Sequence, residues 1–220
     1  MDVVLTGAPI TDANANEPYP THPLNDYIST KIEAEKLVRA ANDSKTATEG
    51  VLRTCCLRPG HIYGERDPHA LCTVVSKVRS GRLPVLLGNP VSAKIDVTYV
   101  GNVAHAHILA ALALTSGVTA VAGNAYHVSE GNHQNWWHWV KPYLEAKGLV
   151  LTTWYLPYCV VYVLALLAEI LHRIYTGITG VLPLPSAVRK RLPVFDPTLT
   201  LFICAVLCRD FTFNSKRARK

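Results

Sequence analysis

The sequence lacks several features that would assign it to common classes of protein. None of the six cysteines belongs to a Cys-x-x-Cys pair or a zinc-type cysteine/histidine pattern, so we predict no metal site. Most of the cysteines lie in apolar runs, which is typical of reduced core residues in a cytosol-facing protein. Residues 1–30 have no basic start followed by a long apolar stretch, and we therefore expect no cleavable signal peptide.

Acidic residues are scarce in the last part of the chain. Residues 171–220 contain nine Lys/Arg and two Asp, whereas residues 1–170 contain 13 Lys/Arg and 14 Asp/Glu. No basic stripe with interleaved aromatic residues accompanies this charge, so we expect no nucleic-acid partner. A basic segment beside apolar sequence favours an anionic membrane surface. The run Arg189-Lys190-Arg191 fits either a solvated loop or a lipid contact.

Segments with strand and helix patterns alternate along residues 1–146, which predicts βαβ units and a parallel sheet in an α/β fold. The 220 residues, 49% of them hydrophobic, suffice for one domain with a full core. Strands are expected at residues 3–5, 51–57, 83–87, 95–100 and 125–128. Helices are expected at residues 25–42, 67–80, 102–116 and 132–146, and residues 8–25 are expected to form a loop.

The segment from Trp154 to Ile174 is almost entirely apolar. A spanning helix needs about 20 apolar residues, and here Glu169 and Arg173 interrupt the run. The segment therefore fits a tilted or monotopic membrane helix, or a buried helix of a globular domain. A second apolar patch, Leu199 to Leu207, is too short to span a membrane.

Tyr27 and Lys31 are four residues apart at the start of a predicted helix. Four residues make about one turn, so the phenol and the ammonium share one face. A nearby cation favours the phenolate and lowers a tyrosine pKa, which suits proton exchange with an alcohol or ketone. A surface tyrosine and lysine with no joint role fit the same spacing.

Three further motifs follow in order: Leu57-Arg58-Pro59-Gly60-His61-Ile62-Tyr63-Gly64, then the segment from Asp96 to His107, then Gly123-Asn124-Ala125-Tyr126-His127-Val128-Ser129. Together with the Tyr-x-x-x-Lys helix, this set resembles the 3β-hydroxysteroid dehydrogenase branch of the extended short-chain dehydrogenase/reductases. That branch includes sterol 4α-carboxylate 3-dehydrogenases. The resemblance runs along the whole chain, and it extends to Leu156-Pro157-Tyr158, where the branch has a segment associated with membrane attachment.

The resemblance implies a partial doubly wound, Rossmann-like sheet that binds NAD, with NADP as an alternative. Tyr27 would be the general acid/base, and Lys31 would contact the nicotinamide ribose and lower the Tyr27 pKa. The cofactor-binding turn would consist of Pro59, Gly60, His61 and Ile62, at the carboxyl end of a strand. Arg58 fits a structural ion pair or a role in binding.

By the same resemblance, residues 1–130 would hold the later part of the NAD-binding domain with interleaved substrate-binding segments. Residues 131–220 would form a smaller substrate and membrane-associated region with an apolar helix at about 154–174. The substrate would be a sterol or steroid whose 3β-hydroxyl is oxidised to a ketone. The protein would lie on the cytosolic face of the endoplasmic reticulum membrane, and a homo-oligomer is compatible with the family.

The sequence departs from the family at its start. The glycines that should follow Gly7 at three and six residues are Ile10 and Ala13, and no serine precedes Ser29. We therefore expect a chain that lacks most of the glycine-rich, cofactor-binding half, whether as a truncated product, a splice form or an incomplete gene. Two alternative functions are compatible with the sequence. One is a non-catalytic membrane-attached fragment that binds sterol or a partner, and the other is a soluble dehydrogenase or epimerase acting on nucleotide sugars or flavonoids.

Several other polar and aromatic residues have a structural interpretation. His105 and His107 are two apart on a predicted helix and would point to different faces, which is poor geometry for a shared metal. Asp96 is expected to be a hydrogen-bonding residue at a strand end. The cluster of Trp136, Trp137 and Trp139 fits core packing better than a membrane-interface belt.

Overall fold

The computed structural model describes residues 8–181 and 199–219. The strand expected at residues 3–5 and the basic run at residues 189–191 lie outside the described residues. The described strands are, in chain order, β1 (Ile10–Ala13), β2 (Cys56–Pro59), β3 (His61–Tyr63), β4 (Leu86–Leu87), β5 (Lys94–Ile95), β6 (Val97–Tyr99), β7 (Ala125–Val128), β8 (Gln134–Asn135), β9 (Tyr155–Leu156) and β10 (Phe211–Phe213). The described helices are α1 (Asp26–Ala40), α2 (Ala70–Arg79), α3 (Val100–Thr115), α4 (Trp136–Glu145), α5 (Tyr158–Val181) and α6 (Leu201–Cys208), followed by a 3₁₀ turn (Lys216–Arg219).

Parallel pairing dominates the strands, which confirms the expected α/β fold with parallel sheets. The largest sheet has the order β1-β10-β5-β8, with β8 antiparallel to its neighbour. Three further two-stranded parallel sheets consist of β2 with β7, β3 with β6, and β4 with β9. Because β10 pairs with β1, the main sheet contains strands from both ends of the described chain. The division at residue 130 stays a prediction.

Several element boundaries differ from those expected from the sequence. Residues 8–25 were expected to be a loop, but β1 forms there because β10 supplies its hydrogen-bonding partner. Arg58 and Pro59 are the last two residues of strand β2, whereas the sequence places them after it. They pair with His127 and Val128 of β7. Helix α3 begins at Val100 rather than Asn102, with Tyr99 as its N-cap. The apolar helix begins later than expected and runs on to Val181.

The core lies where helix α4 packs against the main sheet. Trp136, Trp137 and Trp139 are buried there, beside Phe211 and Ile95. The Trp137 indole N–H donates to the Leu87 carbonyl at 2.9 Å, which satisfies its polar atom inside the core. The core interpretation of the tryptophan cluster is therefore correct.

Helices α5 and α6 form a separate apolar layer. Val161 and Ala165 on α5 are fully buried against Cys204 and Cys208 on α6. Most other apolar side chains of α5 are exposed, at positions 160, 162, 163, 164, 166, 167, 170, 171, 174 and 178. The stretch Tyr158–Thr179 is long and apolar enough to cross a membrane, and 11% of its most apolar 18-residue window is buried.

Candidate active site

Helix α1 positions Tyr27 and Lys31 on one face, as the spacing predicts. The helix begins after Asn25, whose side-chain oxygen accepts the Ile28 N–H at 2.9 Å. Ile28 and Ile32 are buried and anchor the helix to the core. The Tyr27 side chain is 52% exposed, and the Lys31 ammonium lies 5.6 Å from the centre of its ring. The Lys31 cation thus lies over the face of the Tyr27 ring.

The turn from Pro59 to Ile62 is held rigidly by neighbouring strands. The Gly60 N–H donates to the Val128 carbonyl and to the Thr98 hydroxyl, each at 3.0 Å, and the His61 N–H donates to the Asp96 carbonyl at 2.9 Å. A Cβ atom on Gly60 would lie 2.7 Å from the Thr98 hydroxyl oxygen and 2.9 Å from the Asp96 carbonyl oxygen. Gly60 is therefore needed for close strand packing, whether or not a cofactor binds.

One cavity of about 600 Å³ brings together all six residues that the sequence assigned to the site. Its lining includes Tyr27 and Lys31 from α1 and the turn of residues 59–62. Pro59 is the last residue of strand β2 and His61 the first of β3, so this segment lies at the carboxyl end of β2, where ligands bind in parallel α/β sheets. The Tyr27 phenol, the Lys31 ammonium and this segment thus border the same cavity.

Arg58 joins helix α1 to strand β2 just before this turn. Its guanidinium N–H groups donate to both carboxylate oxygens of Glu35, at 2.9 and 2.5 Å, and a third donates to the Ala15 carbonyl. The Tyr19 hydroxyl donates to the same carboxylate at 2.9 Å. Arg58 and Glu35 are almost fully buried, at 3% and 8% exposure. The contacts of Arg58 are thus those of a structural ion pair.

The thiols in the cavity wall are poorly suited to nucleophilic chemistry. Burial raises the pKa of Cys55, and burial together with the Glu35 charge raises the pKa of Cys56 to about 11. Both cysteines therefore stay protonated at neutral pH. The expectation that cysteines lie in the core holds for Cys204 and Cys208, but Cys72 and Cys159 are exposed.

His107, His133 and Asp96 have structural contacts. Asp96 is fully buried between β5 and β6, where its two carboxylate oxygens contact the His133 ring at 2.6 Å and the Phe213 N–H at 2.7 Å. The His107 ring nitrogen lies 2.8 Å from the carbonyl of Val103, one turn earlier on α3. Across residues 8–181 and 199–219, no group of three or more His, Cys, Asp or Glu side chains is arranged to hold a metal ion.

A second cavity, also of about 600 Å³, adjoins the first and shares His61 and Ile62 with it. Its apolar wall comes from Val100, from Trp136 on α4, and from α6. The motifs of the sequence do not reveal this cavity, because its walls are far apart along the chain. The signal that the sequence offers for it is the second apolar patch, Leu199 to Leu207.

The fold and this constellation define a short-chain-dehydrogenase type of protein. A profile of the 3-beta hydroxysteroid dehydrogenase/isomerase family matches residues 1–158. The chain therefore belongs to this family, as the motif order predicted.

Similar curated proteins include the mouse (Mus musculus) sterol-4-alpha-carboxylate 3-dehydrogenase, decarboxylating, at 30% identity over 86% of this chain and 51% of the relative. They also include short-chain dehydrogenase/reductase family 42E member 1 of Danio rerio, at 36% identity over 84% of this chain and 48% of the relative. An Arabidopsis thaliana 3beta-hydroxysteroid-dehydrogenase/decarboxylase isoform 1 is 32% identical over 94% of this chain and 44% of the relative. The chain thus spans about half the length of the curated relatives it matches.

Solved structures support the fold. The crystal structure of gox2253 superposes with a TM-score of 0.61 at 20% identity, covering 95% of this chain and 54% of that one. MoeE5 in complex with UDP-glucuronic acid and NAD has a TM-score of 0.51 at 23% identity, covering 71% of this chain and 49% of that one. At these identities the likeness defines the fold alone.

Proposed function

We propose that this chain carries the catalytic tyrosine and lysine of an NAD-dependent dehydrogenase that oxidises the 3β-hydroxyl of a sterol or steroid to a ketone. The observation that carries the proposal is the shared cavity of Tyr27, Lys31 and the rigid turn of residues 59–62. Membership of the 3-beta hydroxysteroid dehydrogenase/isomerase family supports the reaction class, and the names of the curated relatives support a sterol substrate.

In this mechanism the substrate hydroxyl hydrogen-bonds to the Tyr27 phenol oxygen, which takes up its proton as the ketone forms. The Lys31 ammonium, 5.6 Å from the ring centre, stabilises the phenolate that accepts this proton. When bound, NAD supplies the acceptor for the hydride that leaves the carbinol carbon. Lys31 and the turn from Pro59 to Ile62 fit its nicotinamide end, since both border the cavity.

The test uses a fusion in which the amino-terminal half of the mouse relative precedes residue 8, together with a 3β-hydroxysterol and NAD. Tyr27→Phe removes the group that accepts the proton of the substrate hydroxyl and should lower turnover by about 10²–10⁴-fold. Lys31→Met should weaken cofactor binding and move the pH profile of turnover to higher pH. Tyr155→Phe and Lys36→Met are the matched controls, because both side chains lie outside the cavity. Near-normal turnover by Tyr27→Phe would refute the assignment.

A specific observation favours a second candidate, a non-catalytic fragment that binds sterol or a partner. The 13 glycines of the sequence contain no Gly-x-Gly, whereas the family seats the pyrophosphate on a glycine-rich turn. We expect the 220-residue chain alone to bind NAD weakly or not at all. Calorimetric titration decides the point: micromolar affinity for NAD would mean that another segment holds the phosphates.

We further propose that α5 attaches the protein to a membrane, at the cytosolic face of the endoplasmic reticulum. The exposed apolar side chains of α5 and the basic residues that follow it support this proposal. In cells, carbonate-washed membranes should retain the chain, and a Leu167→Glu/Leu171→Glu pair on α5 should release it. An Ile108→Glu/Leu112→Glu pair on the comparably exposed α3 face is the control. A wholly soluble, monomeric parent would contradict membrane attachment.

A further inference from the structure

Helix α6 separates the second cavity from the exposed apolar helix α5. Phe202, Ile203 and Val206 line the cavity, whereas Cys204 and Cys208 pack against α5. Residues four positions apart share a face of a helix, whereas residues two apart point to different sides, so α6 presents one face to each neighbour. A change on its cavity face therefore alters the cavity and leaves the α5 contact in place.

The N-terminus of α6 is fixed from two sides. The Thr200 hydroxyl accepts the Ile203 N–H at 3.2 Å, and the Glu169 carboxylate of α5 accepts the Leu201 N–H at 2.8 Å. At the other end, Arg209 packs over the Tyr158 ring, 4.4 Å from its centre. With both ends attached to α5, the cavity wall that α6 forms has a defined position.

The second cavity has the size and lining of a small-molecule site. Its volume of about 600 Å³ falls within the range of about 300–1,000 Å³ typical of ligand pockets. Trp136 and the three α6 side chains make an apolar wall, while the polar Glu65, Arg66 and His69 in the lining are exposed. His61 and Ile62 line both this cavity and the one that contains Tyr27.

We propose that the second cavity binds the apolar ring system of the alcohol whose hydroxyl meets Tyr27, and that Phe202 and Ile203 of α6 determine which ring systems fit. The inference rests on the proposed function, because Tyr27 sets the position of the hydroxyl. The inference assigns a role in substrate binding to α6, which lies outside the residues matched by the family profile, 1–158. The opposite face of α6 packs against α5.

Sterol binding by the 220-residue chain, without cofactor, tests the inference. The probe is a sterol whose rings contain a fluorescent conjugated triene, excited by energy transfer from tryptophan, since Trp136 lies in the cavity wall. Ile203→Trp fills the cavity and should weaken binding at least about tenfold. Phe202→Ala enlarges it and should shift preference about fivefold toward a sterol with a larger hydrocarbon tail. Leu109→Trp, on the exposed face of α3, adds the same bulk elsewhere and should bind like the parent.

Two outcomes would overturn the inference. In one, folded Ile203→Trp and Phe202→Ala proteins bind the probe within twofold of the parent. In the other, binding responds only to the Leu167→Glu/Leu171→Glu pair, which would mean adsorption to the surface of α5. Circular dichroism establishes that each variant is folded, and the two α6 variants act in opposite directions, so one remains informative if the other misfolds. Because the readout is binding, failure of the Tyr27 mechanism would appear separately, as unchanged turnover by Tyr27→Phe.

Discussion

Replacing Arg58 by methionine should cost the protein much of its stability. The change removes the guanidinium that faces both oxygens of the buried Glu35 carboxylate and leaves that charge with the Tyr19 hydroxyl as its close donor. Breaking a buried pair in this way typically costs about 3–5 kcal/mol. Folded domains have about 5–15 kcal/mol in total, so the loss is a large fraction of the free energy of unfolding.

The control and the rescue follow from the same geometry. Arg39→Met removes a partner that is 4.0 Å from Glu35 and 37% exposed, and it should cost no more than about 1 kcal/mol. The double variant Arg58→Met/Glu35→Leu replaces both charges by apolar groups and should recover most of the loss. Urea unfolding followed by tryptophan fluorescence measures these differences. With a slope of about 1–3 kcal/mol per molar, the Arg58→Met midpoint should fall by at least about 1 M.

The pH dependence gives a second signature of the Arg58–Glu35 pair. Burial by itself would raise the pKa of Glu35, but the hydrogen bond and charge of Arg58 outweigh burial and hold this pKa below its usual 4.5. The stabilisation is therefore present above pH 4.5 and is lost as pH falls through the lowered pKa. In Arg58→Met the pKa of Glu35 should rise instead. The loss of stability relative to the parent should therefore become smaller as the pH is lowered from 7 to 4. A stability loss below about 1 kcal/mol that does not change with pH would refute the reasoning.

Three further predictions concern single side chains. Gly60→Ala should destabilise the fold by about 1–3 kcal/mol in urea unfolding, because its Cβ would lie under 3.0 Å from the Thr98 hydroxyl and the Asp96 carbonyl oxygen. Burial lowers the pKa of His127 to about 3, so stability should fall as pH drops from 6.5 toward 3; His127→Leu should flatten that slope in an acid titration. Glu169→Leu removes the acceptor of the Leu201 N–H and should lower stability by about 1 kcal/mol while increasing retention on carbonate-washed membranes.

The predicted site residues could be found from the sequence because their relations are local. Tyr27 and Lys31 are one helical turn apart, and the segment from Pro59 to Ile62 lies at the end of a predicted strand. The cavity walls could not be found in this way, because Ile62 and Ile203 line the same cavity only through tertiary packing. Strand β1 was missed for the same reason: its partner, β10, lies about 200 residues away in the chain, and local composition indicated a loop.

The charge inside the apolar helix shows how tertiary contact changes a sequence argument. In the sequence, Glu169 interrupts the apolar run, since an unpaired carboxylate in hydrocarbon is costly. In the structure its carboxylate accepts the Leu201 N–H at the start of α6, where a negative charge is favoured by the helix dipole. The side of α5 that faces α6 therefore accommodates the carboxylate, while the exposed apolar side chains continue past it to Ile178. The same contact helps to position α6, so Glu169 bears both on the surface available to a membrane and on the wall of the second cavity.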